Sequence, residues 1–431
     1  MRVLVLSHNV FSTTESMGKT LSAYFSGWDK NEIAQFYIHS EIPTSKVCGN
    51  FFRITDKDAI KSIFTRRAGT ILTTKDVEPD LKTSRTDHGT MAKIYQKGRE
   101  RTPFIYLARN LIWRLAGWKN KKFRKWIDEF DPEVVFLASG DYSFMYRIAR
   151  YVAKRKNIPC VLSCMDDYYF NNRNEGKFLG SLLHKRFMKQ VKKTMNVSQA
   201  ILTICDKMTK DYSEFFGKPC FTLHTPTSLS EPLVGEKKVK ISYLGNLGYS
   251  RYDQLVDIGK ALKQIDNPSV PKFIDVYSAE SRPKILEKLT EENGIKFHGK
   301  INGEQVKQVM AESTAVVHTE AFKENTIKSV KYSVSTKIAD SLACGTCIFA
   351  YGPDNIASIQ YLFDNDVAEI ATKKEQLVQA LEHLFVDSEQ RTAKIEKALK
   401  LAKENHDGKK NVELIKNVLT FSMEQKKNSR D

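Results

Sequence analysis

Short apolar runs alternate with amphipathic stretches through most of this chain. VLVLSH near the N-terminus, then IAQFYIHS, EVVFLASG, PCVLSC, AILTIC and PCFTLHT, have the composition and length of buried strands. Helical spacing fills the gaps, at about Lys19 to Phe25, Phe104 to Phe130, Asp141 to Lys156, Lys177 to Met195 and Asp206 to Phe216. Asp131-Pro132 ends the second of these. Strands separated by helices in this order predict a parallel sheet with right-handed crossovers. Residues 53 to 100 break the pattern. They are polar and irregular, with the run TTKDVEPDLKTSRTDHGTMAK, and read as a mobile insertion or long loop, helical in part.

The alternation then restarts. TPTSLSEPLVGEKK is polar, holds Pro226 and Pro232, and reads as an interdomain linker. VKISYLGNLG opens a second α/β series. A helix from Tyr252 to Lys263 follows, with its apolar side on Leu255, Val256, Ile258, Leu262 and Ile265. PKFIDVYS, IKFHG, AVVHTE, TCIFAYG and VAEIA supply further strands. From about Ser388 the chain is helical and highly charged. The expected division is 1–225, a linker at 226–238, a second domain at 239–387, and terminal helices at 388–431 that can cross back to the first domain. Each domain is expected to be a Rossmann-like doubly wound α/β sheet.

Composition narrows the class. The 431 residues suffice for two domains with substantial cores. No segment approaches the roughly 20 apolar residues that span a bilayer. The apolar run in MRVLVLSHNV is too short for a signal peptide, so the expected location is cytoplasmic. Seven scattered cysteines suit reduced thiols. Cys344-x2-Cys347 has no second pair at zinc spacing, so no metal is expected. A net charge of +17 favours polyanions or an anionic membrane surface. Arg101 to Trp126 concentrates that feature. It carries eight Lys/Arg, no acid, and Trp113, Trp118 and Trp126. Such a segment suits the surface of an anionic bilayer, or else a core-packing helix with a basic outer face.

The most informative stretch is YSVSTKIADSLACGTCIFAYGP, from Tyr332 to Pro353. A polar loop enters a short helix that ends at Gly345, and an apolar strand follows. Ser335, Thr336 and Lys337 stand at the helix start, where free N–H groups, hydroxyls and an ammonium suit a diphosphate. Asp340, one turn on, is placed to hold a ribose diol. Together these residues have the chemistry of a nucleotide-sugar site. Gly245-Asn246-Leu247-Gly248 sits between a strand and a helix, where glycines let the backbone approach a ligand; a plain strand–helix turn has the same letters.

The stretch resembles the donor-binding segment of GT-B glycosyltransferases, in the large retaining branch called family 4. Within that branch it looks most like enzymes of bacterial capsule and exopolysaccharide synthesis. The family's Glu-Ala-x-Ala-x-Gly-x-Pro turn aligns with Asp340 to Cys347. The second acid of its E-x7-E pair is Asp340 here, and the first falls on Tyr332, with Glu320 in HTEAF the nearby substitute. The resemblance implies a GT-B fold, two domains facing across a cleft, and a hexosyltransferase-type activity. The donor would be a nucleotide-sugar, UDP-linked by family frequency, and transfer would be retaining. It implies donor binding by Gly245, Asn246, Gly248, Ser278, His298, Glu320, Ser335, Thr336, Lys337 and Asp340. Arg251 and Lys337 would stabilise the leaving diphosphate, so no metal or other cofactor is needed.

The first domain would then hold a saccharide acceptor, free or lipid-linked. Its candidate residues end strands: His8, followed by Gly18 at a helix start; Asp141, which also suits a helix N-cap; and Asp166-Asp167 before three aromatics. Asp166 is the candidate to assist deprotonation of the acceptor, with Asp167 binding it. The expected protein is a glycosyltransferase of surface polysaccharide synthesis, peripheral on the inner face of the cell membrane. A nucleotide-sugar epimerase of the same fold is one alternative. A basic nucleic-acid or membrane-binding protein is another, although no nucleic-acid motif is present.

Overall fold

A computed structural model describes residues 1–14, 16–79, 81, 102–172 and 175–429. The chain forms two compact units, Met1–Leu223 with Asn411–Asp431, and His224–Lys410.

The first unit is built on eight strands: β1 (Val3–Ser7), β2 (Ile33–Tyr37), β3 (Asn50–Arg53), β4 (Thr70–Thr73), β5 (Val134–Ala138), β6 (Cys160–Ser163), β7 (Ser198–Thr203) and β8 (Cys220–Thr222). Their order is β4-β3-β2-β1-β5-β6-β7-β8. All pairs are parallel except β3–β4. Strands β1, β2 and β5 are buried along their whole length. Helices cover both faces of such a sheet, and that is why these strands are almost wholly apolar. Several helices end on a residue at positive φ, including Asp131, Asn157 and Gly217, which turns the chain back toward the next strand.

The stretch read as an irregular loop from residue 53 is ordered over its first part. Thr55 and Asp58 form a capping box, each side chain bonding the other's backbone N–H, and start the helix Asp56–Thr65. β4 then returns antiparallel beside β3. The rest of that expectation, residues 80 and 82–100, lies outside the described residues.

The second unit has six strands: β9 (Lys238–Leu244), β10 (Ile274–Tyr277), β11 (Ile295–Gly299), β12 (Ser313–Thr319), β13 (Cys347–Tyr351) and β14 (Ala368–Ala371). They are all parallel, in the order β11-β10-β9-β12-β13-β14. Strand β13 shows why both faces are filled. Cys347, Phe349 and Tyr351 enter one core cluster, and Ile348 and Ala350 enter the other.

Two boundaries differ from the expectation. The polar 226–238 segment is bound into the second unit and is not a free linker. Thr227 N donates to the His406 carbonyl at 2.9 Å and Leu233 N to that of Cys344 at 3.0 Å. Leu229 and Leu233 pack on the apolar cluster beneath. The terminal helices also divide. Ser388–Asn405 puts Ala398, Leu401 and Ala402 into the second unit's core. Gly408–Asn428 puts Val412, Ile415, Val418 and Leu419 into the first unit's core.

Candidate functional site

In an open parallel sheet, ligands bind outside the carboxyl ends of the strands where the strand order reverses. In the second unit that place is between β9 and β12. A cavity of about 260 Å³ opens there, lined in part by Gly245, Arg251, Ser278, His318, Ser335, Lys337 and Asp340.

Its floor comes from β9 and the turn after it. Gly245 N donates to the Tyr277 carbonyl at 2.9 Å, which ties the turn to β10. Gly245 leaves the room that the Lys337 ammonium occupies. A Cβ on Gly245 would stand 2.1 Å from Lys337 Nζ. Tyr249 and Ser250 both adopt left-handed backbone, with φ of 57° and 61°, so the chain doubles back before the helix Arg251–Gln264 begins. Arg251 is thereby aimed at the end of β12. Its Nη2 reaches both oxygens of Glu320, at 2.8 and 3.0 Å, and its Nε donates to Glu320 Oε2 at 3.1 Å. Burial pushes the Glu320 carboxyl up, while Arg251 pulls against it.

Lys337 completes the arrangement from the helix Thr336–Ala343, which Ser335 caps. The residue as a whole is exposed, and its ammonium lies against Gly245. Among the described residues that ammonium has no carboxylate or hydrogen-bond partner. Burial and the neighbouring Arg251 bring its pKa down to about 8. The same two cations act on His318 after burial does, holding that ring at about 3 and therefore neutral. His318 Nε2 lies 3.0 Å from Ser358 Oγ. The cavity thus offers an unpaired cation next to backbone and next to an internally neutralised Arg–Glu pair. That arrangement suits a polyanion.

Other expected donor residues are distributed less simply. Ser278 is buried and lines the cavity. Asn246, Gly248 and Thr336 are outside its lining. Asn246 instead accepts from Gly248 N at 2.5 Å and so shapes the turn. His298 is also outside, stacked on Tyr277 with a 4.6 Å ring separation and bonded to Asp275. Asp340 lines the cavity, yet its Oδ1 accepts from Thr227 Oγ1 (2.8 Å), Ser228 N (2.7 Å) and Ser228 Oγ (3.0 Å). One of its oxygens is therefore committed to the protein. Tyr332, at the position of the family's first glutamate, is a buried ring whose hydroxyl accepts from Lys331 Nζ at 2.8 Å. Sequence reasoning missed His318, although it stands two residues before Glu320 at the end of the same strand.

In the first unit the strand order reverses between β1 and β5. The His8 ring lies against Gly140 and edge-on to Tyr142, at 5.4 Å. Gly18 lies against the 10–12 loop, where Ser12 N donates to its carbonyl. Asp141 is not a helix cap. The N-cap of Ser143–Lys156 is Tyr142, and Asp141 accepts from the Tyr106 hydroxyl. Asp167 is buried and turned inward, accepting from Tyr169 N, Phe170 N and the Tyr212 hydroxyl. Asp166 is more exposed, and its Oδ1 accepts from Asp167 N at 2.9 Å.

The basic segment from Arg101 onward corrects an expectation. Arg101 itself is outside the described residues. Trp113, Trp118 and Trp126 are all buried, so they are core residues and not a membrane-facing set. Trp113 stacks on Phe144 at 4.4 Å and donates to Asp56 at 2.7 Å. Among the described residues no helix is long and apolar enough to cross a membrane, and no group of three or more His, Cys, Asp or Glu is placed to hold a metal.

Comparison with known proteins bears on the fold. Residues 261–417 match the family model described as glycosyl transferase-like. None of the curated sequences compared matches. Among solved structures, the chain is similar to trehalose 6-phosphate synthase from Burkholderia multivorans. That match has a TM-score of 0.60 at 11% identity, covering 100% of this chain and 98% of that one. Anabaena HepE in complex with UDP matches with a TM-score of 0.57 at 11% identity, over 97% and 100% of the two chains. Sucrose-phosphate synthase from Thermosynechococcus elongatus gives 0.56 at 10% identity, over 97% and 98%. The chain therefore has the GT-B fold, and its residues 261–417 are similar to the glycosyl transferase-like family.

Proposed function

We propose that this protein transfers a sugar, of hexose type, from a UDP-sugar to a saccharide acceptor, with retention of configuration. The observation that carries the reading is the Lys337 ammonium, unpaired and held against Gly245 at the end of β9. A diphosphate there would meet Lys337, the Arg251 edge not used by Glu320, and the start of the helix Thr336–Ala343. These groups neutralise the charge that grows as UDP departs, so the reaction needs no resident metal or other cofactor. Asp166 is the proposed acceptor-side carboxylate. HepE was solved with UDP, with UDP and glucose, and with UDP-glucose, which supports the choice of base and donor. The net charge of +17 supports a polyanionic or membrane-bound context, and with it a lipid-linked acceptor in surface polysaccharide synthesis at the inner face of the cell membrane.

Thermal shift against UDP, GDP, dTDP and ADP tests the donor site. UDP is expected to raise Tm by several degrees, and Lys337→Ala to abolish the shift. Indifference of the wild-type chain to all four nucleotides would sink the proposal. A UDP-sugar converted to an isomer, with no acceptor and no UDP release, would replace transfer by epimerisation.

A further inference from the structure

The first unit holds a second cavity, of about 410 Å³, that the donor chemistry does not use. It lies between the helices Pro103–Leu115, Ser143–Lys156 and Phe178–Met195. Among the described residues, four arginines line it, Arg114, Arg147, Arg150 and Arg186, against a single carboxylate, Asp141.

Arg150 is fixed in place. Its guanidinium donates to the Gln190 carbonyl and Thr194 Oγ1, both at 2.7 Å, and to Gln190 Oε1 at 2.5 Å. None of these acceptors is charged. Arg114, Arg147 and Arg186 have no ion-pair or hydrogen-bond partner among the described residues. Arg147 is half-buried on the helix Ser143–Lys156, one turn before Arg150. Burial, and then Arg114, pulls the Arg147 pKa below its ordinary value; burial, and then Arg147, does the same to Arg150. These cations repel one another in a concave, partly desolvated site, which is unfavourable unless an anion joins them.

We propose that this cavity binds a phosphate group of the acceptor. A phosphate ester carries about two negative charges and several acceptor oxygens, which matches converging guanidinium forks better than one carboxylate does. Asn110 and Gln190 share the lining, each bonded within the protein, Asn110 to Tyr106 and Ser143 and Gln190 to Arg150. The phosphate has two sources, a soluble sugar phosphate or the headgroup of a lipid-linked sugar, and Leu107, Leu111 and Leu183 in the same lining are compatible with the second. The word acceptor rests on the transferase reading; phosphate binding by the cavity does not.

The test is calorimetric titration of the full chain, with the second unit first saturated with UDP. Probes are glucose 6-phosphate against glucose, and farnesyl phosphate against farnesol in the same micelles. At least one phosphate is expected to bind tenfold or more tighter than its uncharged counterpart. Arg147→Gln and, separately, the exposed Arg186→Gln should each reduce that advantage at least fivefold, with UDP affinity unchanged as the control for folding. An advantage for farnesyl phosphate alone names the lipid source, and an advantage for glucose 6-phosphate names the soluble one. No phosphate advantage in either pair, or an advantage that survives both substitutions, overturns the proposal. Failure of UDP to bind would instead count against the donor site.

Discussion

Lys337 is the residue on which most depends, and its ionisation gives a signed expectation. Its pKa in the free protein is about 8. A bound diphosphate favours the protonated form, so binding raises that pKa. Affinity for UDP should be full below pH 8 and fall as pH rises through it, by up to tenfold per unit. Titrations between pH 7 and 9 check this, and Lys337→Met should be weak throughout and flat. Gly245→Ala probes the same contact from the other side. The added methyl displaces the end of a flexible side chain, so Tm should move by no more than about 2 °C, while UDP affinity falls about tenfold. A large loss of Tm would mean that Gly245 serves the turn and not the lysine. Ser335 and Lys337 were legible in the sequence because a hydroxyl cap and a cation at a helix start have local signatures. The partnership of Arg251 with Glu320 was not, since 69 residues separate the two and only the sheet order brings them together.

At the scale of elements, strands were easy to read where both faces are buried, as in β1, β5 and β13, because a continuous apolar run marks them. The stretch after residue 53 was read as a loop, helical in part, and the helix Asp56–Thr65 was not placed within it although its Thr55–Asp58 capping box was present in the letters. Its interior is DKDAIKSIFT, and among the described side chains only Ala59 and Ser62 are buried, so the apolar stripe is too thin to announce a helix. The 226–238 segment was misread for the opposite reason. Prolines and polar residues suggest a linker, and its hydrogen bonds to Asp340 and His406 are invisible locally. Asp340 therefore has two competing roles. If it mainly holds the 227–228 turn, Asp340→Ala costs about 1–3 kcal/mol in denaturant unfolding and speeds proteolysis within 226–233. If it mainly holds a ribose, UDP affinity falls with stability unchanged. Three bonds on one oxygen favour the first outcome.

For the molecule as a whole, the helix Gly408–Asn428 is the element that sequence order hides best. It follows the last helix of the second unit by two residues, yet it belongs to the first. Ile415 and Leu419 are fully buried there, one turn apart, in the cluster that also holds Val3, Val5 and Phe136. Their burial removes a helix face from water that the second unit's own core does not need. Truncating such a side chain leaves a cavity, at a cost of about 2–5 kcal/mol. Ile415→Ala should therefore weaken the first unit at a position distant in sequence from every other part of it. Hydrogen exchange resolved by segment is the measurement, because it reports each unit separately. Amides of β1, β2 and β5 are expected to exchange faster in the variant, by tenfold or more, while those of β9, β12 and β13 keep their rates. Faster exchange confined to the second unit's strands would show that the helix is energetically part of the domain it follows. If the first outcome holds, the terminal helix is part of the first unit's core, and UDP binding measured on the same variant should remain at its wild-type affinity.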